Sequence, residues 1–313
     1  MPTSTVHFKV EFEAEHLLEF GDNSNNVIRS APKEVDGVKL VLKVIRTNGK
    51  ITPLVLPDDP YDDLVWMQGY QRWELFVNGT RRAEDKFDFA RSFPQLPAVF
   101  SPIVQINEII DKGHVILKQD IYLKRWKFIK LNEFREGVAD VLLEIGAPKI
   151  YKIYVSKSVL SMHSPVFDAM LNSESFLEGQ TQICKLPDVD IGAFLLLSYR
   201  LYGLPLSWKD IRWKDLKPIL ELAHRFEFEI IVSEIEDHLL TLDLSESKKL
   251  FAEADTYQLD RLTSKIISSM DSEELKNVYQ EIVRTQQGSI TKTFSLDTVD
   301  AMFERILSLT HSK

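Results

Sequence analysis

A serine followed directly by a proline, Ser164-Pro165, lies at the centre of the most ordered pattern in this chain. A serine hydroxyl can cap free backbone N–H groups, and a proline at the first helical position has no N–H to satisfy. The pair predicts a helix beginning at Pro165. Its apolar residues Val166, Phe167, Met170 and Leu171 fall on one face, so the helix must lie against other structure. Upstream, Asp140–Ile145 and Ile150–Val155 are rich in branched and aromatic residues and are separated by Gly146-Ala-Pro-Lys149, which predicts a hairpin with a four-residue turn. The order is strand, strand, helix, helix.

Downstream, Asn172–Gln180 reads as a polar, flexible loop and Gln182–Leu186 as a strand. Asp190 can cap a helix over Ile191–Tyr202 that is apolar nearly all round and stops at Gly203. Two amphipathic helices follow, Asp215–Phe226 and Ile230–Leu240, with Pro218 placed inside the first turn of the former.

Taken in order, Asp140-Val141 opening a strand, Lys157 three residues before Leu160, Ser164-Pro165-x-Phe167, and Leu186-Pro-Asp-Val189 ahead of a phenylalanine-bearing helix resemble a BTB/POZ domain. The resemblance covers about a third of the chain and implies a domain over residues 134–243. Ser156 stands where that family usually carries a histidine, so no role of that histidine carries over.

The N-terminal part follows a different period. Val6–Phe12 alternates apolar and polar residues, and Val38–Ile45, Ile51–Leu56 and Tyr70–Val77 read as further strands joined at Asn48-Gly49 and Asn78-Gly79. Pro53 favours an edge position, and Trp73, Leu75 and Val77 share one face. Gly21–Asn26 reads as loop, Phe87–Phe100 as loop and short strand, and Val104–Ile110 as a short helical or extended piece. His114–Leu117 and Ile121–Trp126 read as two last strands, and Trp126–Asn132 as the joint to the next domain. Many short strands with turn signals predict an antiparallel sandwich. The run from Phe100 to Leu123 is similar to the closing segment of MATH (meprin and TRAF homology) domains, which implies a MATH-like sandwich over residues 1–127.

From Leu244 to the end the sequence predicts helices over Ser245–Ala254, Leu259–Met270, Glu273–Gln287 and Leu296–Leu309, with Ser245, Asp271 and Ser295 or Asp297 as caps. Helical pairs after a BTB domain resemble the opening of the BACK region, which implies a BACK-like extension over 244–313. The fold class expected is thus α+β: sandwich, central BTB domain, helical extension.

Composition narrows function. A net charge of −9 disfavours a protein that binds nucleic acid or anionic membrane through phosphate contacts. Cys184 is the one cysteine, which excludes an intrachain disulfide and a cysteine-rich zinc site. No secretory leader or membrane-length apolar run is visible, and the expected location is cytoplasmic or nuclear. The Asn78-Gly-Thr80 triplet reads as a turn rather than a glycosylation acceptor. No phosphate loop, nucleophile elbow or zinc-binding histidine pair occurs, and the seven histidines are scattered. No cofactor, metal or catalytic residue is expected. Cys184 reads as a small core residue rather than a nucleophile.

What remains is protein binding. Phe176 lies in a polar loop and is either tucked into its own domain or offered to a partner. The resemblance implies the second: an apolar residue, any residue, then glutamate, here Phe176 and Glu178, is similar to the motif with which BTB adaptors dock a cullin of the BTB-binding type. Asp140 and Lys157 match positions that form a buried charged pair near the dimer interface in that family, and a structural ion pair without a partner role is the alternative. The family's homodimers use a long helix before the Asp-Val strand, where Leu131–Val138 offers barely two turns. Trp66, Trp73, Phe87 and Phe100 are candidates for a target-binding groove or for the sandwich core. The function implied is a non-catalytic adaptor of a cullin-RING ubiquitin ligase, binding protein substrates through the sandwich. The alternative is a self-associating BTB scaffold.

Overall fold

The structure is a computed structural model that describes residues 4–17, 28–35, 38–47, 50–58, 63–93, 104–105, 113–285 and 294–311. The chain divides into two compact units, Met1–Leu160 with Met170–Leu206, and Ser161–Ala169 with Ser207–Lys313.

In the first unit, the alternation of Val6, Phe8, Val10 and Phe12 becomes β1 (Ser4–Glu13), with those four side chains buried and Thr5, His7, Lys9 and Glu11 exposed. Two short strands, β2 (Ile28–Arg29) and β3 (Lys33–Val35), pair with β4 (Val38–Thr47), which runs antiparallel to β5 (Lys50–Pro57). Then come β6 (Asp63–Val77), β7 (Thr80–Phe93), β8 (Val104–Gln105) and β9 (His114–Lys130). The sheets are ordered β1-β9-β6-β7 and β2-β4-β5-β8, with β3 also on β4. One core joins them, burying Phe8, Phe12, Leu40, Leu42, Trp73, Leu75 and Leu117. The expected antiparallel sandwich is present.

Asn78 and Gly79 both have positive φ, 48° and 77°, as the hairpin between β6 and β7 requires. Pro53 occurs where β5 has only β4 beside it among the described residues, because β8 pairs with Lys50 and Ile51 alone. The expected loop at Gly21–Asn26 and turn at Asn48-Gly49 lie outside the described residues.

Two strand expectations are corrected. β7 runs on to Phe93 rather than giving way to loop at Phe87, since the first proline comes only at Pro94 and β6 offers paired residues along the whole length. β9 is one strand, not two, and it passes through the expected joint to Lys130. Lys118-Gln-Asp120 looks like a break because it is polar, yet Gln119 is buried and donates its Nε2 to Gln71 Oε1 at 2.8 Å. A buried amide whose N–H finds its partner on the neighbouring strand needs no loop, although the Gln119 Oε1 has no partner among the described residues. Gln71→Leu is therefore expected to strand the Gln119 amide and lower stability by about 1–3 kcal/mol in a denaturant titration, with the Gln71→Leu/Gln119→Leu pair recovering part of the loss. Equal losses in the single and double variants would contradict this.

The rest of the first unit is a second, smaller sheet. β10 (Val141–Ile145) and β11 (Tyr151–Val155) form the expected hairpin, and β12 (Ile183–Leu186) lies parallel to β10 on its other side. Between β11 and β12 the chain forms α1 (Lys157–His163), α2 (Pro165–Asn172) and α3 (Leu177–Thr181), and after β12 it forms α4 (Ile191–Leu201). Asp190 Oδ1 accepts the Ala193 N–H at 2.8 Å, and Phe194, Leu195, Leu197 and Tyr199 of α4 are fully buried.

In the second unit Ser164 Oγ accepts the Phe167 N–H at 3.1 Å and itself donates to the Phe226 carbonyl at 2.5 Å. The cap thus also ties α2 to the end of α5 (Trp213–Arg225). This helix starts two residues earlier than expected, so Pro218 lies past the first turn and forfeits an interior hydrogen bond. α6 (Glu229–Leu239) is close to the expected span.

The expected helix Ser245–Ala254 is instead two, α7 (Leu244–Lys249) and α8 (Phe251–Thr256), parted at Leu250. Asp243, not Ser245, caps the first: its Oδ1 accepts the Glu246 N–H and the Ser245 hydroxyl at 3.0 and 2.8 Å. α9 (Asp260–Ser269), α10 (Ser272–Thr285) and α11 (Leu296–His311) complete the unit. Asp271 and Glu274 cap α10 reciprocally, each carboxylate accepting the other residue's N–H, at 2.8 and 3.0 Å. The Glu274 N–H, with a smaller contribution from the Glu273 N–H, holds the Asp271 carboxyl below its ordinary range. Glu236 of α6 is buried and accepts the N–H groups of Arg261 and Leu262 and the Arg261 guanidinium, which fixes α9 against α6.

Candidate protein-docking site

Asp140, just before β10, is half-buried beside the start of α1. Its Oδ1 accepts the backbone N–H of Lys157 at 2.8 Å. The structure therefore brings the two residues together, but through a helix cap. Among the described residues no ion pair joins their side chains. A first-turn N–H has no partner inside its own helix, and the carboxylate fills that vacancy. Next to it, Ser156 donates its N–H to Tyr202 Oη at 2.8 Å. Burial pushes the Tyr202 phenol above its ordinary range and the Asp140 charge adds to the effect, while the Ser156 N–H opposes it.

The segment expected to be loose is organised. Phe176 is the extended residue before α3, and its carbonyl accepts the Gln180 N–H at 3.2 Å. The Gln182 amide donates to the Leu171 carbonyl at 3.2 Å and the Gly179 carbonyl at 2.6 Å, which joins the end of α2 to α3. Gly179 is the tightest point: a Cβ there would lie 2.0 Å from the Ser173 carbonyl oxygen. Polar composition marked this stretch as loop, but these side-chain and backbone bonds close a short helix.

That helix leaves apolar surface in water. Phe176 is 46% exposed and Leu177 67%, while Glu178 beside them is half-buried. Ile183, at the start of β12, is exposed as well. Sequence reasoning passed over Leu177 and Ile183. For Ile183 a signal existed, because the inward-facing Cys184 and Leu186 require Ile183 to face outward. The site offers an exposed aromatic and aliphatic pair beside a carboxylate, which is the composition of a docking anchor and not of a catalytic centre.

Cys184 is fully buried and unpaired. Burial, with a smaller contribution from the Glu178 carboxylate, pushes its thiol up to about 12. At pH 8 iodoacetamide is expected to leave it unmodified in the native chain and to alkylate it on unfolding. Because the folded value lies above the ordinary thiol value of about 8.5, stability should hold below that pH and fall as pH climbs toward the folded value. Rapid alkylation of native protein would contradict this placement.

Of the candidate groove aromatics, Trp73 is buried in the sandwich core and Trp66 is half-buried. The Phe87 side chain and all of Phe100 lie outside the described residues. Among the described residues no group of three His, Cys, Asp or Glu side chains could hold a metal ion, and no helix is long and apolar enough to cross a membrane.

Comparison with known proteins places a family on this geometry. Residues 131–243 match the BTB/POZ domain, a protein–protein interaction module. The chain is similar to three proteins of Caenorhabditis elegans. It is 28% identical to BTB and MATH domain-containing protein 15 over 141 residues, 45% of this chain and 49% of the relative. It is 31% identical to BTB/POZ domain-containing protein Y57A10B.3 over 126 residues, 39% of this chain and 38% of the relative. It is 29% identical to BTB and MATH domain-containing protein 38 over 205 residues, 65% of this chain and 49% of the relative. The chain thus matches half or less of the length of these relatives. The last match is longer than the stretch from residue 131 to the end, so it reaches into the N-terminal sheets. The chain carries a BTB/POZ domain at residues 131–243, and its relatives support a MATH-BTB architecture.

Proposed function

We propose that the chain is a non-catalytic adaptor of a cullin-RING ubiquitin ligase of the cullin-3 type. The BTB domain docks the cullin with Phe176 as apolar anchor and Glu178 orienting the contact, the N-terminal sandwich holds protein targets, and the helices after residue 243 form a BACK-like extension. Transfer chemistry belongs to other subunits, and the setting is the cytoplasm or nucleus. The observation that supports this reading best is the exposure of Phe176 and Leu177 on an ordered helix inside a BTB domain. An apolar pair held rigidly in water loses little conformational freedom on binding. Leu177 joins the anchor on the same grounds.

A second reading has its own observation. Phe134 and Val138 are exposed apolar residues at the start of the BTB domain, and no helix lies between β9 and Asp140: the expected two turns at Leu131–Val138 form a turn closed by an Arg135–Ala139 bridge. Self-association through this apolar end, with Asp140 and Lys157 near it, is the scaffold alternative. Purified chain passed over the immobilised N-terminal region of a BTB-binding cullin, with light scattering of the free chain beside it, separates the two. Retention supports the adaptor. A stable oligomer that the cullin does not retain supports the scaffold and defeats the adaptor reading.

A further inference from the structure

The short helix that carries Phe176 and Leu177 is not held by packing. α3 has five residues, none of them buried, and a helix of that length does not stand on its own internal bonds. Its position depends on Gln182, which ends it. The Gln182 N–H donates to the Glu178 carbonyl at 2.8 Å, its own carbonyl accepts the Leu142 N–H of β10 at 3.0 Å, and its side-chain Nε2 reaches the carbonyls of Leu171 in α2 and Gly179 in α3. β10, the end of α2 and α3 thus meet on one residue. Gln180 Nε2 adds a bond to the Glu174 carbonyl at 2.8 Å, but that bond stays within the connecting segment.

Gln182 holds this junction in an unfavourable state. Its backbone lies at φ 54° and ψ 30°, the left-handed region that a residue with a Cβ adopts at a cost. α5 and α8 are also followed by left-handed residues, Glu227 and Gln258, yet those side chains are exposed. A helix that needs only to end this way takes glycine, or a residue whose side chain reaches water. Gln182 does neither. Its amide is turned inward, and Oε1 is buried with no hydrogen-bond partner among the described residues. A buried carbonyl without a donor is a second cost beside the backbone. Local strain kept where packing does not demand it points to a functional constraint.

We propose that Gln182 is the positioning residue of the docking site: it fixes α3 against β10 and α2 so that Phe176 and Leu177 meet the partner in one orientation. It does not touch the partner itself. This rests on the reading that Phe176 anchors a cullin, and it names the residue through which the anchor is held. An anchor fixed beforehand loses less freedom on binding.

Gln182→Gly in the whole chain separates positioning from folding. Glycine relieves the backbone and removes the orphaned carbonyl while giving up the two side-chain bonds, so the denaturant midpoint should stay close to that of the wild type. The Gln180 N–H, which bonds the Phe176 carbonyl inside α3, should exchange about tenfold faster, and affinity for the cullin region should fall about tenfold. In a Phe176→Ala background the same change should lower affinity by about threefold or less, because a helix without its anchor has little left to position. A role confined to the fold would give the same loss in both backgrounds. Wild-type affinity in Gln182→Gly, unchanged exchange at Gln180, a midpoint well below that of the wild type, or equal losses in the two backgrounds would each overturn the assignment. A wild-type chain that does not bind the cullin region defeats the adaptor reading itself, whereas a wild-type chain that binds, with any of those results in the variant, removes this assignment alone.

Discussion

Replacing Phe176 and Glu178 together by alanine is expected to weaken binding to the cullin region by about 30-fold or more, the loss of ~2 kcal/mol typical of an anchor residue. The effect should be confined to binding. Phe176 gives nearly half its surface to water, so its truncation removes few contacts from the fold. Glu178 forms no hydrogen bond through its carboxylate among the described residues, and α3 is closed by Gln182 and the backbone, which the substitutions leave in place. Unfolding should therefore occur at the same denaturant concentration as in the wild type. An unchanged affinity in a variant that still folds would show that α3 is not the docking element.

Phe167→Ala should do the reverse, lowering folding stability by about 3–5 kcal/mol. Phe167 is completely buried, with ring centroids 4.8 Å from Phe226 and 5.9 Å from Phe228. It sits one turn after the Ser164 cap, whose hydroxyl also bonds the Phe226 carbonyl. The aromatic cluster and the cap thus act on the same junction between α2 and the end of α5. Removal of the ring leaves a cavity that a capped, tethered helix cannot easily collapse to fill. A denaturant titration should show an earlier midpoint at unchanged slope. A loss below about 1 kcal/mol would mean that this junction is not part of the core.

The contrast between these two phenylalanines shows how far the sequence could be read. Phe167 was legible because Ser164-Pro165 fixes where its helix begins, and the period of the helix then fixes which face is inward. The strands of the sandwich were legible in the same way, from the alternation of β1 and the Asn78-Gly79 turn. Errors arose where polar residues stood inside regular structure. Gln119 looked like a break in β9 because its partner, Gln71, is remote in sequence and visible only once the strands are paired. Asn172–Gln180 looked like loop because the bonds that order it run from Gln182 back to Leu171 and Gly179, not along any apolar stripe. At Asp140 the right residues were named for a different bond: the family resemblance implies a charged pair with Lys157, and geometry gives the carboxylate its backbone N–H.

Calorimetric titration of the intact chain with the N-terminal region of a BTB-binding cullin tests the adaptor account most directly. The account predicts saturable binding of one cullin region per chain, with a negative heat-capacity change from burial of Phe176 and Leu177. A folded chain that gives no heat of binding across the titration, and no retention on immobilised cullin, would contradict it.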